Sequence, residues 1–289
     1  MRTATAQAQQ TYEASSAASP RQNESLHIML LTDAPGVVEV PAFPNTAVSI
    51  HVGPSAHVAC RRGGRSHRGT AIHGDIDIIP PGTPSVWELK QTDVALILSM
   101  TPSLMQRVAE DAGVDPQQLE IRNRFQIRDP QIEHIGWALK AEKENGYPCG
   151  RLYRESLATA LAARLVHCHS SHAAENGKQN GGISSRKLKQ VLAFIEDNLG
   201  HDLGLWEIAG IAGLSVSHCK VLFRESVGLP VHQYVIRRRV ERAALLLRES
   251  RLPISRIALE AGFAHQSHLA MHMRRVKGVS PSALRRAVR

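Results

Sequence analysis

A stretch of seven residues in the second half of the chain occurs twice. Ile208–Leu214 (IAGIAGL) returns as Ile257–Phe263 (IALEAGF), 49 residues later. Each copy reads as a short apolar helix that runs into a glycine, Gly213 or Gly262, before a second helix. Glycine adopts a positive φ without a Cβ penalty, as a tight turn between helices requires. The repeat therefore predicts two helix-turn-helix units, in each of which the second helix lies in the major groove of DNA.

The charge of the chain is concentrated around this repeat. Residues 184–289 hold 18 Lys and Arg against 8 Asp and Glu, whereas the residues before them hold 17 against 18. A basic second half joined to a near-neutral first half indicates polyanion binding in one part and sensing in the other. Because a basic surface also favours membranes or simple solubility, the charge supports the repeat without deciding the function.

The remaining composition predicts an intracellular protein. The cysteines at 60, 149, 168 and 219 form neither CxxC pairs nor a disulfide framework, as is typical of a reducing cytoplasm. No apolar run approaches the roughly 20 residues of a membrane-spanning helix. Residues 1–24 are rich in Ala, Gln, Ser and Thr, which indicates a disordered tail and no secretory signal. We expect a cytoplasmic, nucleoid-associated protein without membrane contact.

The first half of the chain has the pattern of a small β domain. Short β-prone runs at Ala47–Val52, Ile76–Ile79 and Val94–Leu98 alternate with Pro- and Gly-rich turns. This pattern predicts a small barrel or sandwich, which we place at residues 25–128.

Helical spacing replaces the strand pattern after this domain. Helices are predicted from 129 to about 144 and from 151 to about 168, and the second carries Leu157, Leu161 and Leu165 on one face. We interpret residues 129–170 as a helical dimerisation segment with these leucines in its seam. Burial of the same leucines within one subunit explains the spacing equally well.

A flexible linker and an all-helical domain complete the chain. Residues 171–183 contain three Gly and two Asn, and we interpret them as the linker. Within 184–289, one helix from Val231 to about Glu249 joins the two repeated units. At about 1.5 Å per residue it spans roughly 28 Å. That length approaches the roughly 34 Å between successive major-groove faces on one side of DNA, so both units could engage one duplex.

Residues 184–289 resemble the AraC/XylS family of bacterial transcription regulators in the order and spacing of many residues. The resemblance is carried by segments such as Leu214-Ser215, Leu222-Phe223-Arg224, Ala261-Gly262-Phe263, Gln266-Ser267-His268 and Ser280-Pro281. It implies a seven-helix DNA-binding domain with two helix-turn-helix units. It also implies binding to double-stranded promoter DNA, often with activation of transcription through contact with RNA polymerase.

By that resemblance, specific residues of the two recognition helices read bases. Lys220 can donate to guanine and Gln266 can pair with adenine. Val221 and Met271 stand where the family commonly carries Arg, so they can contact a thymine methyl but cannot make a charged guanine contact. The base-reading positions are Ser217, Lys220 and Val221 in the first helix and Gln266, Ser267, Ala270 and Met271 in the second.

Other polar residues of the two units are expected to contact the DNA backbone or to be structural. We expect an ion pair, rather than a base contact, at Arg239. For the late basic residues, solvated surface charge is the alternative to phosphate contact. The expected phosphate contacts are Ser215, Arg224, His265, Arg274, Arg275 and Lys277.

A second resemblance concerns the β domain. Gly74–Gly82 (GDIDIIPPG) resembles the second conserved strand of a cupin barrel, a sensor domain common in this family. Enzymatic cupins hold a metal through a His-x-His pair, a carboxylate and a further His, but residues 26–100 contain no His-x-His. We therefore expect no catalytic residue, no metal and no cofactor here. Trp87 and Glu88 are the candidates for lining a pocket for a small-molecule effector.

One other tract has metal-binding residue types. His167-Cys168-His169 is followed by His172, and thiolate and imidazole suit zinc or copper. Because residues i and i+2 point apart on a helix, a helix end that runs into the linker is the simpler interpretation.

These observations predict an α+β fold, with a cupin-like β-barrel and appended helices followed by an all-α domain with two helix-turn-helix units. The predicted function is a sequence-specific transcription regulator, an activator and no enzyme, with an effector or a homodimer contact in its first domain. A cupin-type metalloenzyme fused to a basic DNA-binding module is the alternative. A repair methyltransferase would need a Pro-Cys-His-Arg type acceptor, which the sequence lacks. A constitutive DNA-binding protein with a purely dimerising barrel also stays open.

Overall fold

Two antiparallel sheets face each other in the first part of the computed structural model. The first sheet has the strand order β1-β8-β3-β6-β9 and the second has the order β2-β7-β4-β5. The strands are β1 (Leu26–Asp33), β2 (Gly36–Val40), β3 (Thr46–His51), β4 (Ala56–Arg62), β5 (Arg65–Ala71), β6 (Ile76–Ile79), β7 (Ser85–Leu89), β8 (Asp93–Met100) and β9 (Arg124–Ile127).

The two sheets remain separate. Among the described strands, ladder hydrogen bonds join neighbours within each sheet and none joins one sheet to the other. The closed barrel expected from the cupin resemblance therefore does not form, and the sandwich, the other interpretation of the strand pattern, describes this domain. The resemblance of Gly74–Gly82 to a cupin strand stays a prediction.

The period of two along the strands of the first sheet separates its two faces. Along β8, Leu96 and Leu98 are buried among the helices, whereas Ala95 and Ile97 face the second sheet. Successive side chains of a strand point to opposite faces, so one run of apolar residues serves two interfaces. The first sheet thus lies in the middle of three layers.

Three helices cover the outer face of the first sheet. These are α1 (Pro102–Asp111), α2 (Pro130–Glu144) and α3 (Gly150–His169), with a 3-10 turn at Pro116–Gln118. On α2, Gly136 allows a close approach, since a Cβ there would lie 2.4 Å from Cδ1 of Ile50. The helices predicted at 129–144 and 151–168 are confirmed.

The second part of the chain is helical throughout its described residues. Seven helices are present in residues 185–287, as the resemblance implied. They are α4 (Ser185–Asp197), α5 (Leu205–Ala212), α6 (Val216–Val227), α7 (Val231–Glu249), α8 (Ile254–Glu260), α9 (Gln266–Lys277) and α10 (Pro281–Ala287).

The structure describes residues 25–172, 183 and 185–287. They divide into two compact units, 25–172 in the first and the rest in the second. The predicted tail, 1–24, and most of the predicted linker, 171–183, lie outside the described residues. No helix in the described ranges is long and apolar enough to cross a membrane.

Candidate nucleic-acid interface

The second compact unit, residues 185–287, contains two helix-turn-helix units built on one plan. In the first helix-turn-helix α5 is followed by α6, and in the second α8 is followed by α9. Gly213 and Gly262 occupy the turns with φ of 64° and 85°, the left-handed conformation that glycine adopts most easily. The turn function inferred from the repeat is confirmed. The first helix and turn together are one residue longer in the second copy, since α8 begins 49 residues after α5 but α9 begins 50 residues after α6.

Both recognition helices, α6 and α9, begin with a side-chain cap. The hydroxyl of Ser215 accepts a hydrogen bond from the backbone N–H of His218 at 3.4 Å. His265 does the same through Nδ1, which accepts from the backbone N–H of His268 at 3.2 Å. Such caps satisfy one of the unpaired N–H groups of a first helical turn. Each helix has 12 residues and ends at a glycine with positive φ, Gly228 or Gly278.

Equivalent residues bury one face of each recognition helix. Cys219 and Phe223 of α6 correspond to Leu269 and Met273 of α9, and all four side chains are fully buried. Each pair lies four residues apart, which places its members on the same side of a helix. The face turned away from this core is available to a ligand.

The exposed face carries the predicted base-reading residues. Val221 and Met271 are exposed apolar side chains at equivalent positions. Six of the seven residues are exposed, namely Ser217, Lys220, Val221, Gln266, Ser267 and Met271, whereas Ala270 is half-buried.

The predicted phosphate-contacting residues border this face. Arg224 and Arg274 are equivalent exposed residues in the last turns of α6 and α9, and Arg275 is exposed beside the second. Within the described part of the chain, neither Arg224 nor Arg274 forms an ion pair with a carboxylate. Lys277 is half-buried, and Ser215 and His265 are exposed caps. The unpaired guanidinium groups leave positive charge available for an anion.

Two arginines anchor α7, the long helix between the two helix-turn-helix units, and Arg238 is the buried one. Nε and Nη2 of Arg238 donate to the two carboxylate oxygens of Glu196 in α4, at 2.6 and 2.9 Å, and Nη1 contacts Glu241. Burial lowers the pKa of Arg238, but the attraction of both carboxylates outweighs burial and raises it. Arg239 instead donates to the backbone carbonyls of Leu199 and His201, at 2.9 and 2.7 Å. The ion pair expected at Arg239 therefore belongs to its neighbour.

Predicted functional residues of the first unit are divided between core and surface. Leu161 and Leu165 are completely buried in the core of their own unit, and Leu157 packs against the same core. This corrects the predicted dimerisation seam, because residues buried against their own chain cannot form a free surface.

Two histidines of the tract with metal-binding residue types contact other groups of the first unit. His169 binds Asp129 at 3.0 Å, and Nε2 of His172 lies 3.1 Å from the carbonyl oxygen of Gln118.

A cavity of about 70 Å³ lies between the two sheets. Trp87 lines it, whereas Glu88, the next residue along β7, is exposed and lies outside the lining. The alternation of a strand explains this difference. The cavity is large enough to admit water or a small ligand. The prediction that Glu88 lines a pocket is therefore wrong, whereas Trp87 does line one.

Four aspartates line the cavity, namely Asp33, Asp75, Asp77 and Asp93, and none of them is among the predicted site residues. Asp93 binds Nδ1 of His51 at 2.7 Å. Burial and the neighbouring Asp93 raise the pKa of Asp33, and burial raises the pKa of Asp77 despite the opposing charge of Arg62. Strand alternation was the available signal, because Asp77 lies between Ile76 and Ile78, whose side chains point to the other face.

Comparisons with known proteins match the second unit. A family model described as a helix-turn-helix domain matches residues 208–287. The HTH-type transcriptional activator AarP of Providencia stuartii is 36% identical over 103 residues, which cover 36% of this chain and 76% of AarP. The chain spans about half the length of several other curated relatives.

Solved structures match the same part of the chain. The DNA-binding domain of the global transcriptional factor AdpA, in complex with a target DNA, is 31% identical with a TM-score of 0.34 and covers 35% of this chain and 91% of that domain. A transcriptional regulator with an AraC-type DNA-binding domain from Chromobacterium violaceum is 27% identical with a TM-score of 0.35, covering 36% and 94%.

Proposed function

This chain belongs to the AraC family of transcription regulators, and we propose that it binds promoter DNA sequence-specifically through α6 and α9. One observation carries the proposal. Two helices with equivalent caps, equivalent buried pairs and equivalent glycine ends expose matching faces. With 19 residues at about 1.5 Å each, α7 between them is roughly 28 Å long, which approaches the roughly 34 Å of one turn of DNA.

The two exposed faces are assigned distinct contacts. Lys220 and Gln266 donate to base edges in the major groove, and Val221 and Met271 contact thymine methyl groups. Ser217, Ser267 and Ala270 complete the base-reading set. The phosphate-contacting set is Ser215, Arg224, His265, Arg274, Arg275 and Lys277.

Footprinting of the full chain tests this function. A binding site selected from random DNA should show one protected stretch about two helical turns long, because both units then engage one face of the duplex. Lys220→Ala should weaken this site and leave random DNA almost unaffected. Absence of any protected stretch, or of all DNA binding at modest ionic strength, would contradict the proposal.

We further propose that the first unit senses a small effector in the cavity between its sheets. The cavity combines apolar side chains such as Val58, Ile97 and Trp87 with the carboxylate of Asp33. A small ligand with an apolar body and a donor or cationic group matches this lining. Titration of the full chain, followed through the fluorescence of Trp87 with Trp137 and Trp206 replaced by Phe, tests ligand entry.

A network of polar contacts supports control by that cavity. Asp75 of the lining lies 3.4 Å from Arg128, and Arg128 donates to Glu133 of α2 at 3.2 Å. The next residue, Asp129, caps the N-terminus of α2 and binds Arg164 of α3 at 2.9 Å. A ligand that displaced Asp75 would therefore disturb the helical layer.

The regulator is assigned three further properties by its family. We infer that it acts in the cytoplasm, contacts RNA polymerase and activates transcription. A homodimer contact would use the exposed face of α3, around Leu152, Ser156 and Ala160, since its leucines at 161 and 165 are buried. A reporter gene placed behind the selected binding site tests activation, and sedimentation of the full chain tests dimerisation.

A further inference from the structure

Histidines cluster on the second recognition helix, beside its predicted DNA-reading face. Nε2 of His268 and Nε2 of His272 lie 3.0 Å apart. The ring of His265 is 5.8 Å from that of His268, centroid to centroid. Positions four residues apart lie on one side of a helix. The pair at 268 and 272 is thus held together by the helix itself.

Packing fixes the orientation of the two rings. The ring of Phe263, from the preceding turn, makes an edge contact with His268 at 5.5 Å and stacks on His272 at 5.9 Å. Both residues are half-buried, so part of each side chain stays open to solvent. A pair of nitrogen donors restrained in this way loses little conformational freedom when a ligand joins them.

The spacing of the two nitrogens suits a particular kind of ligand. When each ring carries its proton on Nδ1, two Nε2 lone pairs point toward the same place, and a cation relieves their repulsion. At metal–nitrogen bonds of about 2.1 Å, nitrogens 3.0 Å apart subtend about 90° at the ion. A tetrahedral zinc site would need them about 3.4 Å apart. Right-angled donors are typical of square-planar or octahedral copper(II) and nickel(II).

We propose that His268 and His272 form a binding site for a divalent transition-metal ion, Ni²⁺ or Cu²⁺. Within the described residues no group of three or more His, Cys, Asp or Glu side chains is placed to hold a metal. Water therefore completes the coordination shell, and the affinity is modest. The two histidines directly follow Ser267 and Met271 in the sequence, so the ion would lie beside the predicted base-reading face and add positive charge to α9.

The charges around His272 bear on how strongly a cation binds there. Burial and the positive fields of His268, His232 and Arg275 lower the pKa of His272. Arg275 also opposes the charge of the ion, which limits the affinity.

The first recognition helix supplies a matched control. His218 is the equivalent of His268, but the equivalent of His272 is Leu222, so α6 cannot form the pair. His218 is exposed. Replacing it removes an imidazole of the same kind from the same place in a recognition helix without touching the site.

Calorimetric titration of the full chain with NiCl₂ at pH 7.5, without DNA, tests the proposal. We expect the wild type and His218→Gln to bind one more Ni²⁺ per chain than His272→Gln or His268→Gln. Equal stoichiometry and affinity in all four proteins would overturn it. Should either variant of the pair unfold, the other variant and the Cu²⁺ electron paramagnetic resonance spectrum of the wild type decide. That spectrum should show coupling to two equatorial nitrogens, and its absence would overturn the site. Because no DNA is present, failure here leaves the proposed regulator intact.

Discussion

Val221 and Met271 occupy equivalent places in the two recognition helices, six residues after each N-cap, and are 55% and 56% exposed. A single apolar side chain on a surface is ordinary, but a matched pair on the two predicted reading faces indicates a shared role. Contact with a thymine methyl is the interaction that a major groove offers such side chains.

Val221→Ala and Met271→Ala should each weaken binding to the selected site by about 1 kcal/mol, roughly fivefold in Kd. Replacement of the contacted thymine by deoxyuridine, which lacks the methyl group, should weaken the wild type equally. It should have no further effect on the variant that lacks the contacting side chain. Gel-shift measurements of Kd for both DNAs with both proteins give the interaction free energy between the side chain and the methyl group. If the protein substitution and the thymine replacement weaken binding additively, the side chain does not contact the methyl group.

Gln266→Ala should cost about 1–3 kcal/mol at the selected site and relax its preference at one base pair. The reason is the loss of two hydrogen bonds to one adenine. Gln190→Ala is the matched control, because Gln190 is an exposed glutamine of the same unit on α4, outside both recognition helices. Competition assays with single-base variants of the site measure the preference. An equal loss on selected and random DNA would show that Gln266 reads no base.

Arg274→Gln should weaken binding to all DNA similarly and reduce the slope of log Kd against log salt by about one unit. This follows because one phosphate contact fewer releases one counterion fewer. Arg151→Gln, an exposed arginine paired with Glu155 on α3 of the first unit, should leave the slope unchanged. Titrations at several salt concentrations measure it. An unchanged slope in Arg274→Gln would exclude a phosphate contact there.

Gly262→Ala should destabilise the protein far more than Gly213→Ala. Both glycines have positive φ, which costs an alanine about 1–2 kcal/mol. At Gly262 an added Cβ would also lie 2.0 Å from the carbonyl oxygen of Leu199, whereas at Gly213 the nearest atom is the mobile Nζ of Lys187 at 3.0 Å. The midpoints of urea unfolding of the two variants, monitored by circular dichroism, measure this difference. Similar midpoints would contradict the close approach at Gly262.

Local rules predict much of the second unit from sequence. The repeated glycines and the helix Val231–Glu249 follow from residue type and spacing, and each is present as expected. The resemblance predicts an ion pair at Arg239, whereas the structure forms it at Arg238, because neighbouring arginines on a helix differ only in the direction they face. Glu196, 42 residues earlier in the chain, decides that direction through the tertiary fold.

The first unit was harder to predict, for a related reason. Its runs at 47–52, 76–79 and 94–98 were recognisable, but β5 (RSHRGTA) has too few apolar residues to indicate a strand. A strand pattern also fits a barrel and a sandwich equally, since the pairing of distant strands separates them. The four-residue spacing of the leucines at 157, 161 and 165 on α3 fits a dimer interface and the core of one subunit equally well. Only the packing of α1 and the first sheet shows that Leu161 and Leu165 belong to the core.

Asp129 joins the two helices α2 and α3 and should make the first unit sensitive to acid. Its Oδ1 accepts from the backbone N–H groups of Gln131 and Ile132, and its Oδ2 binds Arg164 and His169. Burial alone would raise the pKa of this carboxyl, but these hydrogen bonds and the charge of Arg164 lower it from 3.8 to about 2.

Because the carboxylate is more acidic in the folded state, it stabilises the fold above pH 3.8, and that stability is lost as the pH falls toward 2. Asp129→Asn should cost about 2 kcal/mol at pH 7, and the difference from the wild type should shrink between pH 4 and pH 2. Hydrogen exchange of the α2 and α3 peptides in the full chain measures this locally. Asp111→Asn, an exposed carboxylate at the end of α1, is the control and should show no such trend. A loss that stays constant over the same pH range would mean that Asp129 acts through its shape rather than its charge.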